Sequence, residues 1–138
     1  MPTIIAYQKY IDPQITRTLR LPADTSNQQQ GTELATLAGV TYTSLPDGAI
    51  LPDDQPAEIT STIQQVTLTA AQIAEIKECS PHVRLINSRV ADAIAERYTL
   101  ADEIKLLRTA PSADFDIYNT YVENCRAWGR AEKAKLGL

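Results

Sequence analysis

The sequence predicts an α+β fold: a small N-terminal lobe of antiparallel β-structure over residues 1–69, then a C-terminal helical lobe of three or four helices over residues 70–138. Two observations carry this. Up to Thr69 the apolar residues come in short β-branched or alternating runs divided by Pro and Gly turns. Beyond Thr69 they recur at spacings of three and four behind residues suited to cap helices. Charge follows the same division. Residues 1–69 carry three basic against seven acidic side chains, the whole net charge of −4, whereas residues 70–138 are balanced.

Thr3–Tyr7, with Ile4 and Ile5, opens a strand, and Asp12-Pro13 turns the chain. Gln14–Leu21 then alternates Ile15, Arg17, Leu19 and Leu21 with Thr16, Thr18 and Arg20, which reads as a strand with the second set on one face. Ser26–Gly31 is a polar loop. Thr32–Leu37 and Val40–Ser44 flank Ala38-Gly39 as a hairpin, because Gly supplies the positive φ that a two-residue turn requires. Pro46-Asp47-Gly48 is a turn, Pro52–Pro56 an extended connector, and Thr60–Leu68 a last short strand.

The helices are marked by their caps. Thr69 with Gln72 fits a capping box opening a helix over Ala70–Glu78. Ser80 offers a second cap with Pro81 at the first helical position, so the next helix runs over Pro81–Tyr98 and aligns Val83, Ile86, Val90 and Ile94, with Arg97 at the end of the line. Thr99 caps a short third helix with Asp102 and Glu103 in its first turn and Lys105 and Arg108 near its end. Pro111-Ser112 restarts the pattern, and a last helix covers Ala113–Lys135 and stops at Gly137.

Composition narrows the chemistry. At 138 residues and 43% hydrophobic the chain is one ordinary domain or two very small ones. No apolar run approaches the ~20 residues of a membrane span and no leader pattern opens it, so a soluble, unsecreted protein is expected. An acidic chain without a basic stripe is repelled by phosphate, which argues against nucleic acid. Cys79 and Cys125 are expected as free thiols. His82 is the only histidine and has no nucleophile context, and Asp53-Asp54 and Asp102-Glu103 are sequence neighbours whose side chains diverge. No catalytic residue, metal site or cofactor is expected, since zinc spacing, phosphate-binding loop and dinucleotide fingerprint are all missing.

What remains is an aromatic surface. On the last helix Phe115, Tyr118, Val122, Cys125 and Gly129 share a stripe that Tyr121 and Trp128 border one heptad apart. Stripes of this kind are core more often than interface. The candidates for partner contact are therefore Tyr121 and Trp128 at its edge, joined by Tyr7, Tyr10 and Tyr42 from the β half, because tyrosine and tryptophan bury large area at small entropic cost.

Several phrases of the sequence carry a resemblance. They are Glu33–Pro52 (ELATLAGVTYTSLPDGAILP), Val66–Thr69 (VTLT), Ser80–Asn87 (SPHVRLIN), Arg97–Arg108 (RYTLADEIKLLR) and Tyr121–Arg130 (YVENCRAWGR). Together they resemble the small proteins encoded beside tail-fibre genes in tailed bacteriophages, the tail-fibre assembly chaperones, and leave residues 1–31 uncovered. The resemblance implies a non-enzymatic protein of the host cytoplasm during phage assembly. Its partner would be the distal part of a trimeric tail fibre, which it helps to fold or keeps soluble. The alternative is a structural virion component, a baseplate or fibre adaptor retained in the particle. The family supplies no catalytic residues to carry over.

Overall fold

Three strands come first along the chain, then one helical turn, the fourth strand and four longer helices. The computed structural model describes all of residues 1–138 as β1 (Thr3–Tyr7), β2 (Thr32–Leu37), β3 (Val40–Leu45), α1 (Ala57–Thr60), β4 (Gln64–Val66), α2 (Ala70–Cys79), α3 (Pro81–Arg97), α4 (Leu100–Arg108) and α5 (Ala113–Lys135). The four strands form one antiparallel sheet in the order β2-β3-β1-β4, so the fold is α+β. No helix is long and apolar enough to cross a membrane.

By packing, the chain divides into two units, Met1–Arg84 with Ala134–Leu138, and Leu85–Lys133. Secondary structure changes character at Thr69, where the periodicities place it, but the sheet unit also holds α2, the first turn of α3 and the C-terminal residues. The reason lies in α2, which packs on β2 and fully buries Ile76.

In the sheet unit, the consecutive apolar residues Ile4, Ile5, Ala6 and Tyr7 are all buried, so β1 is covered on both faces, as expected of a central strand without alternation. Cross-strand register places Ile5 against Thr43 and Tyr7 against Thr41 on one face, and Ile4 against Ser44 and Ala6 against Tyr42 on the other. Against the Ile5–Tyr7 face pack Leu19, Leu45 and Ile59, with Leu21, Ala49, Leu51 and Ile63 around them. Apart from Leu45, which belongs to β3 itself, that layer is irregular chain and one turn of helix. The hairpin turn is as expected, with φ of 49° at Ala38 and 81° at Gly39, the positive pair of a type I′ turn.

Two expectations over this unit need correction, and one element has no counterpart in the sequence pattern. Gln14–Leu21 is no strand: it alternates in burial as the pattern requires, but its main chain finds other partners. Arg17 N–H donates to the Lys9 carbonyl, Leu19 N–H to the Tyr7 hydroxyl, and Arg20 is clamped on both sides by the Gln55 side-chain amide at 2.8 and 2.9 Å. Only the isolated bridge Tyr10–Thr16 resembles a ladder. The expected strand over Thr60–Leu68 shrinks to Gln64–Val66. The helical turn α1, missed because four residues show no period, follows Pro56 and buries Ile59 completely.

The caps lie where the sequence puts them. Thr69 accepts from Gln72 N–H while Gln72 Oε1 accepts from Thr69 N–H, and Thr99 and Asp102 repeat the arrangement on α4. Ser80 Oγ accepts from Val83 N–H at 3.4 Å. The helix stop at Gly137 has φ of 84°.

The helical unit is thinly cored. Across residues 85–133, Ile86 and Val122 are its buried large apolar side chains. Gly129 is buried beside Val90, where a β-carbon would come within 2.8 Å of Val90 Cγ2, so glycine permits the close approach of α3 and α5 at this point. Aromatic rings supply much of the remaining packing: Tyr98 meets Tyr118 edge-on at 4.9 Å and Tyr121 at 5.8 Å, and Phe115 lies 6.1 Å from Tyr118.

Candidate functional site

In α5, the inward stripe and its border separate as the helical spacing requires. Phe115, Tyr118 and Cys125 are half-buried and Val122 and Gly129 buried, while Trp128 is 42% exposed. Tyr121 lies between. Its hydroxyl donates to the Ala93 carbonyl on α3 at 2.8 Å, and the Arg97 guanidinium sits 4.6 Å from its ring centre. Desolvation first, and then the neighbouring Cys125 thiol, raise its phenol pKa above the ordinary value. Tyr118 is raised likewise by desolvation and by its hydrogen bond to Glu103 Oε1 at 3.1 Å.

Along the α3–α5 seam run two adjoining hollows that share Asn124. One of about 350 Å³ is lined by Arg89, Val90, Ala93, Cys125 and Trp128, and one of about 370 Å³ by Arg97, Asp116, Ile117, Thr120 and Tyr121. The seam therefore joins Tyr121 and Trp128, both proposed from sequence, into one shallow surface with Ile117 at its end. The hollows are shallow and largely apolar, walled by aromatic and aliphatic side chains.

A second feature escaped the reading of the sequence. On α4, Leu100, Ile104 and Leu107 stand at i, i+4 and i+7 and are 73%, 47% and 61% exposed, so the apolar stripe of this helix faces water. The spacing was legible; its outward direction was not, because amphipathicity says that a face is apolar and not which way it turns.

The three tyrosines of the β half scatter. Tyr7 is 1% exposed in the core, its hydroxyl accepting from Leu19 N–H at 3.3 Å and facing Glu33 at 3.5 Å, so it is withdrawn from any partner surface. Burial raises its pKa, opposed by the Leu19 hydrogen bond and aided by Glu33. Tyr42 is buried too, with its hydroxyl on Gln72. Tyr10 is 56% exposed beside Ile11 and offers a small apolar tip by itself.

His82 is half-buried in the first turn of α3, and its ring enters no hydrogen bond or ion pair. Asp54 pairs with Arg20, and Asp102 is spent on its helix cap. Both cysteines are free thiols, and no three His, Cys, Asp or Glu side chains gather into a metal-ligating group. No protein family, curated protein or solved structure matches the chain.

Proposed function

We propose that this protein is a tail-fibre assembly chaperone of a bacteriophage, which binds the distal part of a trimeric fibre and assists its folding or solubility. One observation supports a binding role above all. The helical unit exposes Leu85, Leu100, Ile104, Leu107, Ile117 and Trp128 while burying only Ile86 and Val122 among its large apolar side chains. Such an inverted balance in so small a unit is the mark of a surface completed by a partner. The resemblance of Glu33–Pro52, Ser80–Asn87, Arg97–Arg108 and Tyr121–Arg130 supplies the partner's identity. Trimeric fibres fold slowly through non-local strand pairing and expose apolar edges meanwhile, so a protein that covers them suppresses aggregation.

The test is co-expression with the neighbouring tail-fibre gene. Soluble fibre should rise severalfold and carry the chaperone with it through purification, and Trp128→Ala should lower both. A fibre equally soluble alone, with nothing co-purifying, would refute the proposal.

A further inference from the structure

The sequence treats the two edges of the sheet differently. At β2 it places Glu33, ion-paired with Lys9 at 2.9 Å, a register shift between Glu33 and Ala35, and α2 packed on the strand. Charge, bulge and cover are the devices by which natural sheets keep an edge from pairing with other chains. At β4, the opposite edge, neither charge nor bulge is present. Ser61–Thr69 contains no charged residue, no proline and no glycine, and Thr62, Ile63, Val66, Thr67 and Thr69 give it a β-branched majority.

The main chain there is also open. β4 pairs with β1 through Val66, Gln65 and Gln64 and has no strand on its other side. Thr67 and Leu68, which continue it, make no main-chain hydrogen bond at all. A groove of about 640 Å³ lies where the start of β1 meets the end of β4, lined by residues 1–4 and 65–68 together with Ile73 of α2 and the C-terminal Gly137 and Leu138. Val66, Leu68 and Ile73 give it apolar walls.

We infer that β4 with Thr67 and Leu68 is a docking site for an extended segment of a partner protein, added to the sheet as a fifth strand. The occupant follows from complementarity. A row of unspent N–H and C=O groups is matched by another extended main chain, and an edge without charge selects an uncharged strand. Side chains of that strand alternate between its two faces, so the set on the face that Val66 and Leu68 share should be apolar. This deepens the binding role proposed above and rests on it only for the identity of the partner.

The probes are ten-residue peptides in which Thr alternates with Val, Ile or Tyr, each carrying a fluorophore, read by anisotropy and by hydrogen exchange of the amides of residues 64–68. The intact chain should bind at least one of them and slow exchange at those amides. Thr67→Pro removes an N–H that the fold does not use, so it should weaken binding tenfold or more with the melting temperature unchanged. Should that variant melt early, Gln65→Lys with Thr67→Lys tests the same edge by charge and should weaken binding equally. Binding by none of the peptides, protection elsewhere, or binding indifferent to both edge variants would overturn the inference. So would protection of residues 64–68 that grows with protein concentration alone, since a second copy would then be the occupant. A chain that binds peptides at β4 but captures no tail fibre leaves this site standing and refutes the fibre reading.

Discussion

Gln72 donates its side-chain amide N–H to the Tyr42 hydroxyl at 3.2 Å while its amide oxygen accepts from Thr69 N–H, so one side chain closes the N-terminus of α2 and ties that helix to β3. Local capping and tertiary docking are thus carried by the same residue. Gln72→Ala should cost about 2 kcal/mol, the sum of a cap and a hydrogen bond, and Tyr42→Phe about 1 kcal/mol. Urea melts of both variants and of the double variant check this, and strict additivity would deny that the Gln72–Tyr42 hydrogen bond contributes to stability.

Gly129 sets two magnitudes against each other. Helix propensity favours Gly129→Ala by about 1 kcal/mol, but the added methyl falls 2.8 Å from Val90 Cγ2, a stiff β-branched side chain, and overpacking costs about 1–3 kcal/mol. Destabilisation should win, and Val90→Ala should relieve it. A higher melting temperature for Gly129→Ala alone would contradict the close approach.

Trp128 and Val122 lie on one helix at different depths. Val122→Ala should lower stability by about 2 kcal/mol, as removal of buried methyls does. Trp128→Ala should leave thermal melting nearly unchanged while weakening capture of the co-expressed fibre by about 2 kcal/mol, the scale of an interface hot spot. Melting and pull-down of the two variants in parallel separate core from contact surface.

The Asp102 carboxylate accepts from the Thr99 main-chain N–H and faces its hydroxyl, and these bonds hold its pKa below the ordinary 3.8. A depressed carboxylate contributes stability above its unfolded value and loses it as pH falls through the folded one, so α4 should loosen only below about pH 4. Carboxyl chemical shifts followed against pH should titrate Asp102 below 3.8, and Thr99→Ala should return it part of the way.

Ala38 occupies the left-handed region at φ 49° without the glycine or asparagine that usually relieves it. Ala38→Asn should raise stability by about 0.5–1 kcal/mol, measured by thermal melting. A lower melting temperature would argue against the type I′ turn.

What the sequence determined by itself is whatever is decided within a few residues. The capping boxes at Thr69–Gln72 and Thr99–Asp102, the turn at Ala38-Gly39 and the helix stop at Gly137 all depend on local main-chain geometry, and each stands where its residues place it. The α5 stripe was legible for the same reason, since 3.6 residues per turn fixes which side chains share a face. Only the tertiary structure decided which apolar faces meet. Tyr7 and Trp128 read alike as aromatic candidates, yet one is sealed between β1 and the irregular layer and the other borders an open seam. Gln14–Leu21 alternates as a strand does, but the Tyr7 hydroxyl and the Gln55 amide took the hydrogen bonds that a neighbouring strand would have offered. The outward turn of Leu100, Ile104 and Leu107 was settled in the same way. Burial and pairing are allotted among all elements at once, and a window of the sequence contains only one competitor.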